Sequence, residues 1–154
     1  MDAVLLDTDV FSFLMKGTDT RAELYKPHVK GKTIALSFVS VGELYAWSVT
    51  RKWGPKKIAD LEHRIKTAIV VPYDMELCRQ FGRLKAELTK SGRNVASNDL
   101  WIAACAIRHS IPLVTHNRKH FKSIPGLTVI SETEAPRVPK SGDLFTPSQE
   151  KVDS

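Results

Sequence analysis

Four side chains with oxygen donors sit where apolar runs give way to helical patterns. Asp7 follows the run at 3–6 in LLDTDVFSFLM, and Glu43 comes soon after TIALS in SFVSVGELYAW. Asp99 lies near the start of the apolar stretch NDLWIAACAI, and Asn117 follows PLVT in LVTHNRKHF. An aspartate is poorly suited to a strand and costly in a core unless its charge is compensated. That compensation is a helix cap, a phosphate-handling site or a metal ion.

Each residue alone has a structural explanation. Asp7 and Asp9 suit the N-cap and first turn of a helix, where an acid meets the positive end of the macrodipole. Glu43 stands three residues after Ser40, the spacing of a capping box. Asp99 follows Ser97 by two residues and is placed as a first-turn acid. Together, however, the acids ask for a common cause. In an open parallel sheet, ligands bind beyond the carboxyl ends of the strands, at the point where strand order reverses. Carboxylates gathered there repel one another unless a divalent cation neutralises them. Hard oxygen donors suit Mg²⁺ or Mn²⁺, and Mg²⁺ takes one or two carboxylates while keeping waters and substrate phosphate oxygens. The chemistry such a site favours is metal-assisted phosphodiester hydrolysis.

The elements that must position these residues are legible in the pattern. AVLL, TIALS, IVVP, PLVT and LTVI read as five short buried strands. Between them lie helices over TDVFSFLMK, near RAELYKPHV ending around Pro27 and Gly31, and from Ser40 through LYAWSV. Further helices begin at Pro55, follow an Asp74 cap until Gly92, and run from Ser97 to His109, with a helical turn around HFKSI. Strands alternating with helices imply an α/β fold whose mainly parallel sheet is covered on both faces. The 154 residues suit one domain, placed at 1–133, with a mobile tail expected at 134–154. No apolar run approaches the roughly 20 residues that span a bilayer, and Asp2 replaces the positive start of a signal peptide. A cytoplasmic protein is expected. Cys78 and Cys105 have no partner at zinc spacing and read as buried bystanders.

LLDTDVFSFL, SFVSVGELYAW, NDLWIAACAI and LVTHNRKHFKSIPGLTVI together resemble the PIN-domain ribonucleases, in particular the VapC-type toxins of toxin-antitoxin pairs. The resemblance covers about residues 3–131. It implies a three-layer α/β/α sandwich with a central five-stranded sheet, and endonucleolytic cleavage of RNA with Mg²⁺ or Mn²⁺. By position, Asp7, Glu43 and Asp99 correspond to the core, metal-holding acids. Asn117 stands where the family often has a fourth acid, with His116 beside it; Thr8 and Thr115 resemble supporting polar residues. Asp9 is expected mainly to serve the first helix. The resemblance also implies a cognate antitoxin and a homodimer.

The net charge of +6 fits a polyanionic partner. Arg118 and Lys119, closest in sequence to the acids, are the expected RNA contacts. Basic residues at Arg51, Lys52, Lys56 and Lys57, and from Arg79 to Arg93, are further candidates, although Arg79 to Lys90 can equally pair with Glu76 and Glu87. Two rival readings remain. One is a catalytically silent PIN-like module that binds RNA or protein. The other is a haloacid-dehalogenase-like phosphatase, suggested by D-T-D-V-F but carrying Phe11 at the fifth position.

Overall fold

The strand β1 (Ala3–Leu6) shows how the sheet divides the core. Successive strand residues face opposite sides. Val4 and Leu6 accordingly join one buried cluster and Leu5 the other. The same alternation places Ala35 and Leu36 of β2 (Thr33–Ser37), and Leu113 and Val114 of β4 (Leu113–Val114), on opposite faces. Two-sided burial explains why the strands are apolar throughout rather than alternating with polar residues.

In this computed structural model, which describes residues 2–132, β3 (Ile69–Val71) and β5 (Val129–Ile130) form the sheet edges. The strand order is β3-β2-β1-β4-β5, and all four pairings are parallel. The expected tail at 134–154 lies outside the described residues. The chain leaves β1 toward β2 and β3 on one side, then returns to place β4 on the other. The switch of direction therefore lies between β1 and β4, where the crevice of an open parallel sheet forms.

On one face pack α1 (Thr8–Lys16), α2 (Ala22–Val29), α3 (Phe38–Thr50) and α4 (Pro55–Thr67). Val10, Phe11, Tyr25, Leu44 and Leu61 supply their buried apolar side chains. The other face carries α5 (Met75–Lys90) and α6 (Ser97–Arg108), followed by the single turn α7 (Arg118–Phe121). Ala103, Ala104, Cys105 and Ala106 are all buried, so small side chains allow α6 to lie close against its neighbours. Phe81 and Trp101 stack with centroids 3.8 Å apart between α5 and α6, which makes this tryptophan a packing residue.

Two local expectations change. The third helix begins at Phe38, not near Ser40, because the Ser37 hydroxyl accepts the Ser40 N–H at 3.1 Å and caps the helix at the end of β2. The Ser40–Glu43 capping box therefore does not form. The second helix ends where the pattern indicated, at Val29 between Pro27 and Gly31, with the Lys30 N–H bonded to the Lys26 carbonyl. Cys105 is buried, and burial pushes its thiol up to about 12, whereas Cys78 is only half-buried.

Candidate active site

Asp7 is the N-cap of α1, and its side chain is held from two directions. The Thr8 N–H donates to Oδ1 at 2.8 Å, and the Thr115 hydroxyl donates to Oδ2 at 2.7 Å. Its own N–H donates to the Val114 carbonyl at 2.8 Å, carrying the β1–β4 pairing one residue past the strands. Both bonds and the helix dipole favour the charged carboxylate. Burial wins nonetheless: Asp7 is 5% exposed, and desolvation, with the charges of Asp9 and Asp99 adding to it, raises its pKa to about 6.

Glu43 comes from α3, in the second turn beyond the Ser37 cap. The Thr8 hydroxyl lies 3.0 Å from Glu43 Oε1 and 2.9 Å from Ser40 Oγ, so α1 and α3 are tied together beside the acid. Burial raises the Glu43 pKa, offset in part by the Thr8 bond and reinforced by Asp99 and Asp9. Asp99, in the first turn of α6, is likewise raised by burial. His120 Nδ1 stands 3.1 Å from Asp99 Oδ2 and counteracts that rise, while Asp9 adds to it. The mutual repulsion links all four acids across three helices that follow different strands. Convergence of Asp7, Glu43 and Asp99 at the carboxyl end of the sheet is what their sequence positions predicted.

Asp9 sits in the first turn of α1, as expected of an acid that serves that helix, and has a second partner. The cap belongs to Asp7, and Asp9 Oδ2 accepts from Asn117 Nδ2 at 2.7 Å. Asn117 is fixed further by its N–H, which donates to the Thr115 hydroxyl at 3.0 Å. Thr115 therefore positions an acid and an amide at once. With its amide N–H turned to Asp9, Asn117 keeps a carbonyl oxygen as its remaining donor atom toward a ligand.

His116 turns away from this network. Its Nδ1 is 2.6 Å from the Tyr25 hydroxyl, and its ring packs edge-on against Phe13 and Tyr25. The Tyr25 hydroxyl also bonds the Glu132 carbonyl at 3.3 Å, anchoring the end of the described chain. His116 is thus a buttress under the β4 loop. Arg118 donates to the Ser131 carbonyl at 3.3 Å, and Lys119 lines an open cavity of about 260 Å³ with Asp99 and His120. On α5, Arg79 and Arg83 pair with Glu76 at 3.2 and 3.1 Å, as the local alternative anticipated.

The sequence offers Ser40 only as a cap, and nothing in the spacing identifies the partners of Tyr25 or His120. His120, three residues after Asn117, falls beside Asp99 only because α6 and α7 pack together.

Among the described residues, no group of three or more His, Cys, Asp or Glu side chains is placed to hold a metal ion as the side chains stand. An open edge of hard oxygen donors with a buried, destabilised carboxylate is instead the donor set of a cation that retains water and substrate oxygens. Asp7, Glu43 and Asp99 fit that requirement by chemistry: each is raised mainly by burial, and a bound cation relieves the strain of ionising them together.

A family model described as the PIN domain matches residues 4–127. Ribonuclease VapC5 of Mycobacterium tuberculosis is 33% identical over 115 residues, covering 75% of this chain and 83% of the relative. Ribonuclease VapC1 of Haemophilus influenzae strain R2866 is 29% identical over 124 residues, covering 80% and 92%. Among solved structures, VapBC2 from Rickettsia felis, bound to a DNA fragment from its promoter, matches at TM-score 0.74 and 26% identity, covering 85% of this chain and 99% of that one. VapBC-1 from nontypeable Haemophilus influenzae also matches at TM-score 0.74, with 27% identity and coverage of 84% and 97%. With its parallel α/β/α layers and the acids drawn to the switch point of the sheet, the chain belongs to the PIN-domain family.

Proposed function

We propose that this chain is an endoribonuclease of the VapC type, the toxin of a toxin-antitoxin pair, and that it hydrolyses RNA phosphodiester bonds with Mg²⁺ or Mn²⁺. The observation that carries the reading is the buried Asp7 carboxylate, raised to about 6 and sharing the field of Asp9, Glu43 and Asp99 at one end of the sheet. Three raised carboxylates that serve no core salt bridge make poor structural residues and good cation ligands.

Asp7, Glu43 and Asp99 would hold the metal, with Asn117 contributing its amide carbonyl or orienting water. When bound, such a cation lowers the pKa of the attacking water and stabilises charge on the phosphate. The protein's part is positional. Thr8 and Thr115 fix the carboxylates, Asn117 holds Asp9, and Lys119 offers positive charge to RNA beside Asp99, with Arg118 next to it. Membership of the PIN family, with ribonucleases among the similar proteins, favours hydrolysis of RNA over the phosphatase alternative.

The VapBC assemblies among similar structures support a cognate antitoxin as partner, and we extend the reading to a homodimer acting in the cytoplasm. No described helix is long and apolar enough to cross a membrane. The test is incubation of the wild-type protein and Asp7→Asn with total cellular RNA in Mg²⁺, Mn²⁺ or EDTA, with fragment ends mapped. Discrete fragments that need metal and Asp7 support the reading. A folded wild-type protein, free of partner, that cuts nothing in either metal sinks it in favour of a silent binding module.

A further inference from the structure

The Asp9–Asn117 pair has a second face. Behind it opens a polar cavity of about 260 Å³ lined by Asp9, Ser12, Phe13, Lys16, Arg21, Trp47, Arg51, His116 and Asn117. Lys16 is the last residue of α1, Arg21 is the N-cap residue of α2, and Arg51 is the C-cap residue of α3. Three elements thus send positive charge into one opening, whose only acid is already bonded to Asn117.

Two of these cations lie over aromatic rings. The Arg21 guanidinium lies 3.9 Å from the Phe13 ring centroid, and that of Arg51 lies 4.1 Å from the Trp47 ring. Arg21 is braced again by Asp19, with bonds of 2.8 and 3.0 Å. The Arg51 guanidinium, fixed on one face by Trp47, still presents edge N–H groups and a second face. Fixing it beforehand lowers the ordering cost when an anion arrives. The charge here is also concentrated. Lys57, which lies 4.1 Å over Trp53, has its pKa lowered first by desolvation and then by the charges of Lys16 and Arg51. Arg64, Arg79 and Arg83 on α4 and α5 each pair with a carboxylate of their own helix, as Arg21 pairs with Asp19, whereas among the described residues Lys16 and Arg51 make no such pair.

We propose that Lys16 and Arg51, with Arg21 braced between Phe13 and Asp19 in the same wall, form a phosphate subsite that grips the RNA backbone on the α1–α3 side of the acids, opposite Arg118 and Lys119. The inference rests on the reading of the chain as a ribonuclease. It adds where the strand runs: across the acids, between two basic openings that share His116 and Asn117 in their walls. The face of Arg51 turned away from Trp47 is available for a neighbouring base to stack on.

The test uses a fluorescent single-stranded oligoribonucleotide of mixed sequence and the cleavage-blocked Asp7→Asn protein, with anisotropy read over a salt series in Mg²⁺. Adding Lys16→Gln and Arg51→Gln together keeps both side-chain stems and is expected to weaken binding about tenfold. It should also reduce the slope of log affinity against log salt by roughly 0.7 per lost phosphate contact, about 1.4 in all. Lys85→Gln with Lys90→Gln, on the exposed surface of α5, is the charge-matched control. Arg51→Gln alone should give an intermediate loss, and circular dichroism verifies that each variant is folded.

Unchanged affinity and slope, or a loss equalled by the α5 control, overturns the subsite and leaves these cations to an acidic protein partner. Failure of the ribonuclease reading looks different. There, otherwise wild-type protein cuts no RNA in any metal whatever the state of Lys16 and Arg51.

Discussion

Asn117 Nδ2 donates to Asp9 Oδ2 at 2.7 Å, joining residues 108 positions apart across the β1–β4 switch point. The bond lets an amide stand among four acids without adding a fifth negative charge. Asn117→Asp removes the donor and sets two carboxylates against each other. In EDTA the variant is expected to lose about 1–3 kcal/mol of stability, with much of it recovered in Mg²⁺, as mass action on a native-state ligand requires. Thermal melts with and without Mg²⁺ check this; equal melting in EDTA would show that the pair carries no energy.

Asp7 sets a pH dependence whose sign follows from its raised pKa. Its folded value of about 6 exceeds the ordinary 3.8. The stability it contributes is therefore fully present below about pH 4 and is lost as pH rises through 6. The difference amounts to something on the order of 3 kcal/mol. Metal-free Asp7→Asn should accordingly be more stable than wild type at pH 7.5, and the gap should close near pH 4. Denaturant titrations across that range decide it, and a variant less stable than wild type at pH 7.5 refutes the assignment.

Thr115 holds both Asp7 and the Asn117 backbone. Thr115→Val keeps the shape but removes the hydroxyl, at an expected cost of about 1–3 kcal/mol and a large loss of RNA cleavage. Thr115→Ser retains the hydroxyl and should preserve most of both. Similar behaviour of the two variants in melts and cleavage assays would exclude the hydroxyl as the cause.

The helix cap and the acid on α3 separate cleanly. Ser37→Ala removes the cap acceptor for Ser40 and should cost about 1 kcal/mol. Glu43→Gln should leave stability near wild type, because burial already disfavours its charge, while abolishing cleavage. A destabilisation by Glu43→Gln as large as that of Ser37→Ala would return Glu43 to a structural role.

The sequence by itself determined the order of strands and helices, because each is written in local periodicity and in punctuation such as Pro55, Asp74 and Gly92. It also determined that Asp7 and Asp99 fall at a strand end and a helix start, with Glu43 in the helix after β2, positions that a parallel sheet draws toward one edge. Tertiary structure alone decided what each side chain does there. Thr8 meets Glu43 across 35 residues, and Thr115 meets Asp7 across 108. Local spacing favoured a Ser40–Glu43 capping box and an Asp9 serving its own helix, yet Thr8 at the start of α1 bonds Glu43, and Asn117 before α7 bonds Asp9. Helix caps and backbone turns depend on neighbours within a few residues. The choice among competing hydrogen-bond partners depends on which distant segments the packed sheet sets side by side.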